Sequence, residues 1–251
     1  MKVWIKSKYI NDELVPANIN ISNVFYGFNQ LGTETILYEN IEEIYNWITK
    51  EDIVVSFIDE VLTVLGKFGV IPGVIDYPRE LKDFYKRYIK KVTYIDVLDH
   101  LKSRPLFVKP VQQKAFTGLV INNEYELGRL GKFPYNFEFF ISEPIDMLRE
   151  WRIYVKHSNV VDIRPYDLKN NFYINYDSEQ LEDIVNTIKN SETLPAAYSV
   201  DIAQCSDGKL RIVEVNDGFA LASYGLQQIE YAKFISARWA ELLDRNDIFM
   251  F

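Results

Sequence analysis

The chain has 251 residues, of which 48% are hydrophobic, 25% charged and 15% aromatic, with a formal net charge of −8. This is enough apolar material for a sizeable core, in one large domain or two to three small lobes, and it excludes a disordered chain. The acidic balance argues against general nucleic-acid binding, which wants a net basic surface or stripe.

The single cysteine, Cys205, rules out an internal disulfide and a thiolate metal cluster, which fits a reducing compartment, and it reads as an inert thiol beside a turn. Lysines at 2, 6 and 8 interrupt the start too early for a signal-peptide apolar segment, and no run of 18 apolar residues occurs. The expectation is a soluble, cytoplasmic protein with no membrane association.

Residues 1–78 read as a small α/β lobe. Val3–Ser7, Glu34–Leu37 and Asp52–Phe57 have strand composition, and Ile41, Ile44, Tyr45 and Ile48 share one helical face. Strand, helix, strand is the grammar of a parallel unit. The strand ends carry no glycine-rich dinucleotide fingerprint, so no cofactor is assigned to this lobe.

Pro72–Gly73 and Tyr77–Pro78 mark a boundary. Beyond it, Leu81, Phe84, Tyr85, Tyr88 and Ile89 predict a helix with one buried face, and Lys86, Arg87, Lys90 and Lys91 would form its wet side. Pro105–Pro110 reads as an apolar strand holding Lys109, whose charge is costly to bury unless it is used. The polar loop Gln112–Gly118 adds Lys114. It could cover phosphates with point charge and backbone N–H groups, although it is not a Walker-type loop.

A strand from Phe137 to Ile145 leads into Ser142–Glu143–Pro144. This extended stretch either presents backbone donors and acceptors to a flat base or is a plain connection between lobes. In the next hairpin a three-residue loop, His157–Asn159, would place Arg152 opposite Arg164 and Tyr154 opposite Asp162. Opposed arginines need an anion or a carboxylate between them. Pairing of each to Glu150, Asp162 or Asp167 is the alternative. His157 reads as an exposed spacer, and with His100 far away in sequence neither a histidine metal site nor a nucleophilic triad is supported. Leu181, Ile184, Val185 and Ile188 define a helix capped from Asp177 or Ser178.

The segment Ser199–Gly218 predicts a hairpin. With residues 206–209 as the loop, Ile202 faces Val213, Val200 faces Val215, Asp201 faces Glu214 and Ser199 faces Asn216. One side of the sheet is then apolar and the other gathers Asp201, Glu214 and Asn216, an oxygen-only set suited to Mg²⁺. A solvated sheet face neutralised by lysine or arginine is the plainer alternative. A last helix from about Leu226, through Ile229, Ile235 and Trp239 to Leu242, would close the domain.

In order, Phe107–Val108–Lys109–Pro110, Lys114–Gly118, Ser142–Glu143–Pro144, Glu150–Trp151–Arg152, Val200–Asp201–Ile202 and Val213–Glu214–Val215–Asn216–Asp217–Gly218 resemble the ATP-grasp superfamily, specifically the clade named for one arginine and two lysines. The resemblance covers about residues 79–251. It implies an ATP-grasp fold preceded by a small Rossmann-like α/β lobe, in three parts: 1–78, a first ATP-grasp lobe 79–141 with the phosphate-covering lysines, and a second lobe 142–251 with the metal-binding strands.

It further implies an ATP-dependent carboxylate–amine ligase that works through an acylphosphate, with ATP and Mg²⁺ as cofactors. Lys109 and Lys114 would contact the phosphates, and the backbone around Ser142, Glu143 and Ile145 would hold adenine. Asp201, Glu214 and Asn216 would hold the metal. Arg152, together with Arg164, would steady the transferring phosphoryl group, with Lys114 also counted in the catalytic set. The stretch 117–141 is short for a lid, so the acceptor side would be open to a peptide or protein as well as to small amines. A small-molecule kinase and an inactive nucleotide-binding module are the competing readings. Surface aromatics could form a homodimer contact or line the acceptor cleft.

Overall fold

The structure is a computed structural model that describes residues 1–101, 104–112, 115–166 and 173–250. Lys114, together with Asp167 of the proposed arginine pairings, lies outside the described residues. The described residues form three four-stranded sheets.

The first lobe is built from β1 (Val3–Ile10), β2 (Glu13–Pro16), α1 (Ile19–Gln30), β3 (Thr35–Tyr38), α2 (Ile41–Ile44), β4 (Ile53–Val55) and α3 (Ile58–Lys67). The pairing is parallel, as the strand, helix, strand order suggests, with β1 between β3 and β4, and the far half of β1 turns back antiparallel on β2. The helix expected at 41–48 is only one turn long. α1 and α3 were not among the expected elements, although Ile58, Val61, Leu62 and Leu65 of α3 recur at helical spacing. In α1 the β-branched Ile19, Ile21 and Val24 and the interior Gly27 weaken intrinsic helix propensity.

Tertiary packing holds α1. Its Gly27 lies against α7 (Gln228–Leu242) so closely that a Cβ there would sit 2.0 Å from the Gln228 carbonyl oxygen. Phe28, Val24, Tyr231, Phe234 and Trp239 consequently share one core with β1 and β4. That core joins the last helix to the first lobe.

The helix expected across Leu81–Ile89 is corrected by the structure. A 3₁₀ turn at Arg79–Leu81 and a single turn α4 (Lys82–Tyr85) end at Lys86, whose φ of 46° is left-handed. The chain then extends into β5 (Ile89–Thr93). Arg87 is not on a wet helix face: its guanidinium donates to the carbonyls of Ile212 and Val213, each at 2.7 Å. Lys91, on β5, pairs with Glu138 at 2.8 Å, so the four residues do not share the wet side of one helix.

After α5 (Tyr94–Leu101) come β6 (Leu106–Pro110), β7 (Leu119–Ile121) and β8 (Glu138–Ser142), which complete an antiparallel sheet ordered β5-β8-β6-β7. Val108, Ile141, Phe139 and Val97 form its core.

The third sheet runs β10-β9-β11-β12, from β9 (Met147–Lys156), β10 (Asn159–Pro165), β11 (Ala197–Cys205) and β12 (Leu210–Asp217). α6 (Ser178–Lys189), capped by the Asp177 carboxylate on the Gln180 N–H, covers one face. Trp151, Ile153, Val155, Val200 and Ile202 meet Leu181, Ile184 and Ile188 there. The opposite face carries the polar residues.

Both hairpins of this sheet contain a one-residue bulge, and each bulge changes how the register arises. The β9–β10 turn uses only His157 and Ser158, both at positive φ, yet a bulge between Val160 and Asp162 restores the expected pairs Arg152–Arg164 and Tyr154–Asp162. In β11–β12 the pairs Asp201–Glu214, Val200–Val215 and Ser199–Asn216 form as expected, but Ile202 faces Ile212 rather than Val213. Val213 is the extra residue, and its carbonyl is one of the two that Arg87 grips. His157 is not a free spacer: its Nε2 lies 3.0 Å from Asp247 Oδ2.

Candidate active site

β6 delivers Lys109 from the middle sheet, and β12 delivers Glu214 and Asn216 from the third. The Lys109 Nζ stands 2.6 Å from Glu214 Oε2 and also donates to Asp76 Oδ1. Asp76 lies in the connection before α4, where its carbonyl accepts from the Val215 N–H at 2.9 Å. The backbone of β12 is therefore fastened from its open edge by Asp76 and Arg87 together, immediately on either side of Glu214.

The next layer is formed by Arg152 on β9 and Asp201 on β11. Arg152 Nε and Nη2 meet Asp201 Oδ1 and Oδ2, both at 2.7 Å, in a buried fork. Asn216 Nδ2 donates to Asp201 Oδ2 at 3.0 Å. The guanidinium of Arg152 also lies 4.7 Å from the Tyr166 ring and 5.0 Å from the Tyr224 ring, which stack on each other. One connected polar chain results: Asp76, Lys109, Glu214, then Asn216, Asp201 and Arg152.

The two carboxylates on Lys109 respond in opposite directions. Burial tends to raise Glu214, but the charge and hydrogen bond of Lys109, with a further hydrogen bond from Asn216, hold it below the ordinary carboxylate range. Burial wins at Asp76 and pushes it up in spite of Lys109, with the nearby Glu214 charge adding to the rise. For Lys109 itself burial disfavours the charge, yet Glu214 and Asp76 more than offset it, so the ammonium is held above its ordinary value.

These residues border a cleft of about 550 Å³. One wall is Phe107, Lys109 and the segment Phe116–Gly118, and the other is Arg152, Tyr166, Glu214 and Asn216. Gly118 permits the segment to lie on β6, since a Cβ there would come 2.5 Å from Phe107 Cζ and 3.1 Å from Lys109 Cβ.

The remaining expected site residues are placed differently. Arg164 is opposite Arg152 in register but turns to Asp162, with Nε 2.7 Å from Oδ2, and it does not line the cleft. The two arginines avoid repulsion because each has its own carboxylate. Ser142 is the buried last residue of β8, paired with Ile89 and Phe107, and its hydroxyl donates to the Glu143 carbonyl at 3.1 Å. The Glu143 carboxylate accepts from the Tyr88 N–H at 3.0 Å and from Arg104 at 2.5 Å. Neither of them, nor half-buried Ile145, borders the 550 Å³ cleft.

Asp201 lies behind Glu214 and Asn216, 2% exposed, with one oxygen engaged by Arg152 and the other shared by Arg152 and Asn216. Among the described residues, no cluster of three His, Cys, Asp or Glu side chains is arranged for a metal.

Asp76, Arg87, Tyr166 and Tyr224 were missed by sequence reasoning. Asp76 and Tyr224 stand in irregular connections with no period to read, and Arg87 was masked by an apparent helical pattern.

The fold is shared with several solved structures. N5-carboxyaminoimidazole synthetase from Staphylococcus aureus matches over 98% of this chain and 77% of its own, with 13% identity and a TM-score of 0.60. The ATP complex of D-alanine–D-alanine ligase from Bacillus anthracis matches over 97% and 99%, with 13% identity and a TM-score of 0.55. A RimK domain ATP-grasp protein from Sphaerobacter thermophilus matches over 97% and 98%, with 11% identity and a TM-score of 0.55. No curated protein matches the sequence. Residues 84–234, more than half of the chain, match the family described as the ATP-grasp domain, R2K clade family 2, and the protein belongs to that family.

Proposed function

We propose that this protein is an ATP-dependent carboxylate–amine ligase that joins its substrates through an acylphosphate, releasing ADP and phosphate. The observation that carries the reading is the meeting of Lys109 and Glu214 across a cleft whose walls also present Arg152 and Asn216. A triphosphate brings about four negative charges, so a cleft that takes it needs cations on one side and oxygen ligands for a divalent ion on the other. No side-chain nucleophile is required, because the substrate carboxylate attacks the γ-phosphorus itself.

The donor set fits Mg²⁺. Glu214 and Asn216 offer only oxygen-bearing groups, and Asp201 would join them if Arg152 released one of its oxygens. Bound Mg²⁺ would screen the phosphate charge. Lys109 and Lys114 would cover phosphate oxygens and Arg152 would compensate charge on the transferring group; the backbone at Ser142, Glu143 and Ile145 would meet a base that reaches beyond the 550 Å³ cleft, and Arg164 would join Arg152 only on leaving Asp162. The stretches 79–141 and 142–251 would supply the two sides of the cleft, with 1–78 supporting them. The acceptor is an amine, small or at the end of a peptide. No helix among the described residues is long and apolar enough to cross a membrane, and a cytoplasmic location agrees with the reading.

The test is ADP release with Mg²⁺, with and without an added pool of amino acids and peptides, followed by mass spectrometry of the products. Amine-dependent amide products are expected, and a phosphorylated product formed without any amine would favour a kinase. Glu214→Gln should lower turnover by about 100-fold or more. Full turnover in that variant would sink the metal assignment.

A further inference from the structure

A second cavity of about 230 Å³ lies against the cleft. The two share Ile58 and the segment Phe219–Ala222, which follows Asn216 and Asp217 directly in the chain. A carboxylate delivered beside Asn216 and Arg152 therefore has this space next to whatever group it carries.

The wall carries no charge. Among the described residues no Asp, Glu, Lys, Arg or His borders the cavity, and the apolar part of its surface is made by Ile21, Val55, Ile58, Leu221 and Ile235 with the Phe219 ring. Several of the polar atoms on the wall are engaged by protein partners. Asn18 Oδ1 accepts from the Ile21 N–H, Asn20 Oδ1 accepts from Ser223, and the Ser56 hydroxyl donates to Glu60. The Tyr231 hydroxyl donates to the Leu221 carbonyl. What faces the space is uncharged, hydrocarbon mixed with neutral polar groups. Aliphatic cavities of about 150 Å³ already take benzene, so this one has room for a branched aliphatic or phenyl-sized group.

We infer that the carboxylate substrate carries an uncharged side group, branched aliphatic or phenyl-sized, which seats in this cavity while its carboxylate reaches the cleft. The inference rests on the ligase reading and narrows its substrate class. A charged side group would lose its hydration against this wall with no counter-charge to meet it.

The experiment offers ATP, Mg²⁺ and hydroxylamine with acetate, isovalerate, phenylacetate, succinate or 6-aminohexanoate. Hydroxylamine nitrogen attacks the acyl carbon of the acylphosphate and expels phosphate, so hydroxamate and ADP report activation of each acid. Isovalerate or phenylacetate should exceed acetate, succinate and 6-aminohexanoate at least about tenfold in kcat/KM. Val55→Phe, with Ile235→Phe as an independent second filling of the cavity, should lower the preference over acetate by about tenfold. Acetate turnover within the same variant reports that it has folded.

Equal or better use of succinate or 6-aminohexanoate, or a preference unchanged in both variants, overturns the inference and leaves the ligase reading standing. Absence of ADP with every acid, from protein that binds an ATP analogue, sinks the ligase reading and the inference with it.

Discussion

Lys109 and Glu214, 105 positions apart in sequence, meet at 2.6 Å and tie the middle sheet to the edge strand of the third. Because Lys109 also holds Asp76, one ammonium stands between two carboxylates with opposite proton affinities. Glu214 is depressed, so its contribution to stability is complete above the ordinary carboxylate range and is lost as pH falls through the depressed value. Asp76 is raised, so its contribution is complete below the ordinary range and is lost as pH rises through the raised value. Urea midpoints from about pH 3 to 7 should show Glu214→Gln flattening the rise on the acid side and Asp76→Asn flattening the fall above it. Identical profiles for the two variants would contradict this arrangement.

The fork between Arg152 and Asp201 is buried, at 5% and 3% side-chain exposure. Arg152→Met leaves a carboxylate without its partner and should cost about 3–5 kcal/mol of folding stability, whereas Arg152→Met with Asp201→Leu should recover a large part of that loss. Chemical denaturation of the wild type, both single variants and the double variant measures the coupling. A double variant as unstable as the sum of the singles would show that the two charges do not depend on each other.

Arg87 holds the bulged stretch of β12 by two carbonyls immediately before Glu214. Arg87→Met should lose about 2–3 kcal/mol, in the range for charged hydrogen bonds. It should also weaken ATP binding, because Glu214 is no longer fixed relative to Lys109. Isothermal titration with an ATP analogue, performed well below the unfolding transition, separates the two effects. Wild-type affinity in a destabilised variant would limit Arg87 to holding the fold.

Gly27→Ala offers a test in which two effects oppose each other. Helix propensity favours alanine by about 1 kcal/mol. The new methyl group would stand 2.0 Å from the Gln228 carbonyl, which must then move together with the start of α7. Overpacking of this kind costs about 1–3 kcal/mol, so the variant should be less stable than wild type in thermal unfolding. A raised Tm would show that the two helices separate without loss.

Alternation along β9, β11 and β12 was enough to place Asp201 opposite Glu214 and to send Trp151 and Arg152 to different faces. These are local properties of strands with one apolar side. The bulges at Val161 and Val213 were invisible, because an extra residue leaves the alternation intact on either side of it; Val213 is held from outside the hairpin, by Arg87. The helix expected through Tyr88 and Ile89 failed for a related reason: its apolar spacing was real, but long-range bonds of Arg87 and strand pairing of Ile89 overrode it. The donor types of the site were legible, while not all of their pairings were. Asp76 as a second partner of Lys109 depends on tertiary placement that no spacing encodes, whereas Arg164 with Asp162, two residues apart on one strand, was among the pairings the sequence offered.

The shared core of α1 and α7 has a consequence for how the chain is made. Apolar side chains of residues 1–78 find their cover on a helix that leaves the ribosome about 200 residues later, so until then Val24 and Phe28 have only part of their packing. The opening segment must therefore wait during translation, and a nascent chain stalled before Gln228 should be open to protease at sites that are closed once α7 has docked.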